Sequence, residues 1–186
     1  MVERICIIAA GLVLLAGCAS TMDAMTPSVT VIKDDFDGKL IIRQAPVNAA
    51  SSVAEPLHTL GFEWNEKFPD TVFVTAGIAG TKAITGVAFN ADGKVITSLK
   101  AASDLTDFAR GGALVASYRR FEMPLRDFLL VARARVVKMR LDGINDYTVS
   151  SFGPDAGTAV VNVKIGPFLD QVLSVKPGPS PKSPRT

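Results

Sequence analysis

The chain of 186 residues holds two cysteines, one histidine, one tryptophan and two tyrosines. Each scarcity excludes some chemistry. With His58 as the sole histidine, no cluster of imidazoles can hold a metal, and any zinc site would have to be built mainly from carboxylates. A Ser-His-Asp triad needs only one histidine, yet no Gly-x-Ser-x-Gly elbow exists to present a serine. His58 follows Pro56-Leu57 and reads as a surface histidine or one satisfied within the fold. Both cysteines, Cys6 and Cys18, lie close to the N-terminus. The sequence beyond them has no thiol for a disulfide, a metal site or nucleophilic catalysis. Charge of one sign is also lacking: a net charge of +2 implies no nucleic-acid role. The N-terminal apolar run, Ile5 to Gly17, falls short of the about 20 residues that a spanning helix needs.

The same opening stretch is informative for what it contains. Arg4 supplies a positive charge, partly offset by Glu3, and the apolar run follows. Small residues Ala16 and Gly17 then precede Cys18. This is the layout of a secretory signal peptide over residues 1–17. The segment Leu15-Ala16-Gly17-Cys18 resembles the lipobox of bacterial lipoproteins. The resemblance implies cleavage between Gly17 and Cys18, with a diacylglyceryl group on the Cys18 thiol of the mature chain. One acyl chain binds a bilayer only marginally, whereas two or three anchor it firmly. An aspartate after the cysteine would imply inner-membrane retention. Ala19 stands there instead, so the resemblance implies an outer-membrane location facing the periplasm if the source is Gram-negative.

Residues 18–28 are small and polar and read as a lipidated tether. Residues 176–186 are rich in Pro, Ser and Lys and are expected to form a disordered tail. Between them, residues 29–175 suit one domain. Val29–Ile32 and Leu40–Arg43 flank Asp34-Asp35-Phe36-Asp37-Gly38, a hairpin signal. Phe62–Trp64, Thr71–Gly77 and Tyr118–Met123 read as strands, and Ile84–Phe89 pairs with Lys94–Leu99 across Asn90-Ala91-Asp92-Gly93. Pro124 suits the first position of a helix whose apolar stripe is Leu125, Phe128, Leu129 and Ala132. Asp127 and Arg133 complement its dipole. Val136–Leu141 and Tyr147–Phe152 return to strand. A terminal helix is expected at least over 167–173. Residues 158–166 fit helix or strand equally, with Gly166-Pro167 interrupting either. The predicted class is α+β, a mostly antiparallel sheet or sandwich with about two helices in the C-terminal half.

Four chemical readings follow. Arg110, Arg119, Arg120, Arg126, Arg133, Arg135, Lys138 and Arg140 crowd one stretch opposed only by Glu122 and Asp127. Arg119, Arg120, Arg133 and Arg135 are the candidates for a face that meets anionic lipid or another envelope polyanion, against the alternative of a solvated, paired surface. Asp35, Asp37 and Gly38 match a fragment of a calcium loop, but the full pattern and its distal glutamate are absent, so an acidic turn is expected. Gly77-Ile78-Ala79-Gly80-Thr81-Lys82 lacks phosphate-loop spacing and reads as a strand-end turn. Glu55, Glu63, Glu66 and Asp70 near Trp64 could serve a glycan hydrolase with Trp64 as a sugar platform. The expected function is a lipid-anchored envelope protein that acts as a non-enzymatic binding or assembly module, with that hydrolase as the alternative. No cofactor or metal is implied, and the expected partners are the membrane and an envelope protein or polyanion.

Overall fold

The computed structural model describes residues 26–97, 99–103, 106–111 and 114–175. The leader, Cys18, most of the tether and the Pro-rich tail lie outside them. The protein is α+β, built from two antiparallel sheets and two helices. The first sheet contains β1 (Thr30–Lys33), β2 (Leu40–Asn48), β3 (His58–Asn65), β4 (Thr71–Ala79) and β9 (Leu114–Pro124) in that spatial order. The short strands β7 (Lys100–Ala101) and β8 (Asp107–Gly111) both pair with the far side of β9. The second sheet runs β11 (Tyr147–Phe152), β10 (Val137–Asp142), β5 (Gly86–Ala91) and β6 (Lys94–Ile96). Helix α1 (Leu125–Arg133) follows β9 without a loop, and α2 (Val161–Val175) ends the described chain.

Alternation explains which faces meet. Ile42 on β2, Leu60, Phe62 and Trp64 on β3, Val72, Val74 and Ala76 on β4, and Phe121 and Met123 on β9 are buried on one side of the first sheet. Val87 and Phe89 on β5, Val137, Met139 and Leu141 on β10, and Phe152 on β11 are buried from the second. The period of two puts every second side chain on one face, so both sheets deliver a single apolar surface. Those surfaces and the helices share one core. At its centre Phe62, Phe128 and Phe168 form a triangle with ring centroids 5.0, 5.4 and 5.6 Å apart. That triangle joins β3, α1 and α2. Such ring pairs contribute about 0.5–1.5 kcal/mol each beyond the area they bury.

The structure differs from the sequence expectations in four places. Strand β9 begins at Leu114, ahead of Tyr118, and β8 was not anticipated. Ala116 and Ser117 have little strand preference, but pairing with β4 on one side and β8 on the other imposes it. Pro124 ends β9 and stands as the N-cap of α1, ahead of its first turn. The Leu125 amide, an orphan at the helix start, donates to the Asp70 carbonyl at 2.8 Å. The buried face of α1 is centred on Leu125, Phe128 and Val131, which leaves Leu129 and Ala132 at its margin. Finally, 161–175 is one continuous helix through Gly166-Pro167. Both residues are exposed, and the bond that Pro167 cannot make would have gone to the carbonyl of Val163, itself 59% exposed. Water can satisfy that carbonyl while Val161, Ile165, Phe168 and Val172 keep the inner face intact.

Candidate functional site

The histidine sits where the two sheets meet. His58, at the start of β3, is fully buried. Its Nδ1 lies 2.8 Å from Ser150 Oγ and its Nε2 lies 2.8 Å from Thr148 Oγ1, both on β11. Ser150 also donates to the Ala49 carbonyl at 3.1 Å. One proton arrangement satisfies all of these contacts: Nδ1–H donates to Ser150, and Nε2 accepts from the Thr148 hydroxyl. Beside it, Ser51 Oγ lies 3.0 Å from Ser151 Oγ, and the Glu55 carboxylate accepts from the Ser151 hydroxyl and from the Ser51 amide at 2.9 Å. The β2–β3 connection is thus sewn to β11 by hydroxyls, one carboxylate and one imidazole. Burial pushes His58 down to about 4, against the upward pull of Glu55. Burial acts to raise the Glu55 carboxyl, but hydrogen bonds from Ser151 and Ser51 hold it below the usual range. A base so weak is poorly matched to proton transfer near neutrality. The space beside Thr148 is about 10 Å³, room for one water molecule. The arrangement is a joint between sheets.

The four candidate arginines divide among three environments. Arg119 and Arg120 are successive on β9 and point to opposite faces. The Arg119 guanidinium donates to the Ile84 carbonyl at 2.7 Å and to the Ser103 carbonyl at 3.1 Å, tying two connections to β9. Arg120 lies on the outer face of the first sheet. Its Nη2 is 2.5 Å from Glu63, and its guanidinium stacks 4.1 Å from the Phe73 ring centroid. Arg43 holds the other oxygen of Glu63 at 2.6 Å, so one carboxylate bridges β2, β3 and β9. Arg133 and Arg135 come together at the far end of α1, where Arg135 pairs with Asp155 at 2.7 Å.

That end of α1 borders a cleft of about 430 Å³, lined by Ala91, Lys94, Arg126, Leu129, Leu130 and Arg133 among others. The β5–β6 turn forms one wall. Asp92 (φ +49°) and Gly93 (φ +91°) both adopt left-handed backbone, as a two-residue hairpin turn requires. The Asp92 carboxylate accepts from the Val136 amide at 2.8 Å and the Arg135 amide at 2.9 Å. Those two bonds hold its carboxyl below the usual range. Arg126 approaches Asp127 at 3.7 Å. Among the described residues, Lys94 and Arg133 have no carboxylate within ion-pair distance.

The other candidates resolve differently. Trp64 is fully buried and donates through Nε1 to the Pro69 carbonyl at 3.1 Å, so its ring is no platform for a sugar. The acids around it serve separate partners: Glu55 in the joint, Glu63 between two arginines, and Glu66 on the Leu40 amide at 3.0 Å. Asp70 lies beside Leu125 at the start of α1. In the acidic turn, Asp34 accepts from the Phe36 amide at 2.8 Å and Asp37 from the Lys39 amide at 3.0 Å. No group of three potential metal ligands exists among the described residues. Gly77 lies within β4, and Gly80 (φ +94°) turns the chain at its end. Sequence reasoning missed Lys94, Leu129 and Leu130 as cleft residues. The signal for the leucines is there in Leu129-Leu130 between Arg126 and Arg133, but the periodicity assigns Leu129 to the inner stripe and leaves Leu130 unassigned. No protein-family model, curated protein or solved structure matches the chain.

Proposed function

We propose that this chain is a cell-envelope lipoprotein, held to a bilayer by acyl chains on Cys18, whose domain is a non-enzymatic binding module for an anionic envelope partner. The location rests on the lipobox resemblance of Leu15-Ala16-Gly17-Cys18. Among the described residues no helix is long and apolar enough to cross a membrane. The observation that carries the binding role is the cleft at the end of α1, where Lys94, Arg126 and Arg133 gather with Arg135 close by. On this reading Arg133 and Arg135 serve the binding face, and Arg119 and Arg120, engaged with backbone carbonyls and with Glu63, serve as structural ties.

Two measurements test the reading. Mass spectrometry of the mature N-terminus should find residue 18 first, carrying glyceride and acyl mass. An unmodified soluble chain would remove the anchor. Arg133→Glu with Arg135→Glu should weaken recovery of anionic envelope polymers or lipids by about 10-fold at low salt, with a smaller difference at high salt. Equal recovery by both proteins would reject the anionic partner.

A further inference from the structure

The cleft has a second property besides charge. On the outer side of α1, Arg126, Leu129, Leu130 and Arg133 follow at spacings of three, four and seven residues, so they share one helical stripe. Leu129 and Leu130 are only partly buried, and they line the cleft together with Ala91 and Ala134. Leu129 and Arg126 also line an adjoining cleft of about 340 Å³ with Pro124, Leu125 and Asp70. Two leucines between two arginines, with Lys94 across the cleft, make a surface that is apolar in the middle and cationic at its rim. Helices that rest in a membrane interface combine the same chemistry.

We infer that this stripe of α1 docks on the phosphate-bearing head groups of anionic lipids, with Leu129 and Leu130 entering among them and Lys94, Arg126 and Arg133 meeting the phosphates. The inference rests on the proposed anionic-partner reading and narrows it. The nearby carboxylates leave the rim cationic. Asp92 also lines the cleft and stays ionised on its two backbone amides, so it offsets one of the three cations; Asp155 pairs with Arg135, and Asp127 stands against Arg126 alone. Asp70 lies on the far side of Leu129, in the adjoining cleft. A soluble polyanion would use the cations equally well but would have no use for two leucines that line the cleft while packing partly against the core. A tether at residue 18 also keeps the domain within a few tens of ångströms of a bilayer, which raises the effective lipid concentration at the cleft.

The test uses the chain from residue 18 onward with Cys18→Ser, which leaves no cysteine, so that Leu129→Cys can carry an environment-sensitive fluorophore. Vesicle flotation should show binding to phosphatidylcholine containing about 30% phosphatidylglycerol and little to phosphatidylcholine alone. The probe should shift to the blue on the anionic vesicles. Arg126→Gln with Arg133→Gln should weaken binding about 25-fold, near 5-fold for each cation. These surface changes leave the core untouched, and flotation of the unlabelled Cys18→Ser chain checks the binding without the Leu129 substitution. Equal binding to neutral vesicles, or an unshifted probe on anionic ones, overturns the inference. Recovery of soluble polyphosphate without vesicle binding overturns the lipid assignment alone. Loss of both overturns the underlying reading as well.

Discussion

At the scale of single residues, His58 has the largest consequence. In the unfolded chain it takes up a proton near the ordinary imidazole value of 6.5, and in the folded protein only near 4. The folded state therefore holds fewer protons between those values. The stability this contributes is fully present above about pH 6.5 and is lost as pH falls through about 4. Burial sets the direction, Lys82 reinforces it by repelling a proton, and both outweigh the upward pull of Glu55. Between about pH 7.5 and about pH 5 the protein should lose roughly 2 kcal/mol, measured by urea denaturation at each pH. His58→Gln should flatten that change, and an unchanged slope would show that the histidine is not responsible. Gly77 gives a second residue-scale prediction. A Cβ there would lie 2.6 Å from the Tyr118 ring. Gly77→Ala should cost about 1–3 kcal/mol by displacing it, and thermal denaturation reads the loss. The scarcity of histidine was legible in the sequence, but whether His58 lay on the surface or was satisfied within the fold was not. Its partners were not: Thr148 and Ser150 stand 90 and 92 residues away, and nothing local marks them.

At the scale of elements, what could be read was whatever local pattern determines. The Asp92-Gly93 turn, the alternation of β10 and the start of α1 after Pro124 follow from turn chemistry and period. The short strands β7 and β8 have no such pattern, because β9 templates them. The inner stripe of α1 was misplaced by one residue row. Leu129 and Val131 are equally apolar, and only packing against β5, β9 and α2 decides between them. Helix α2 gives the element-scale prediction. Pro167→Ala restores an amide donor to Val163 while also loosening the unfolded chain by about 0.4–1 kcal/mol. An interior proline costs about 3 kcal/mol, so the net change should be a stabilisation of roughly 2–2.6 kcal/mol, visible as a raised Tm. A lowered Tm would mean that α2 is shaped around its proline.

At the scale of the whole molecule, one core joins both sheets and both helices, so the domain should unfold in a single transition. Trp64, the sole tryptophan, is buried on β3 and reports that core by fluorescence. Its denaturation curve should coincide with far-ultraviolet circular dichroism, and separate midpoints would show that the second sheet melts independently. The α+β class was legible because helices and strands each showed their own period. The cleft was not, since it needs Lys94 from a hairpin and Arg133 from a helix placed side by side.

Strand β1 is the first element among the described residues, and its four residues are all exposed. It pairs with β2 alone. If Cys18 is anchored as proposed, a tug from the membrane would reach this lightly held strand first. Peeling Thr30–Lys33 away would uncover little of the interior, so under that proposal the leash would lengthen under load while the domain stays closed.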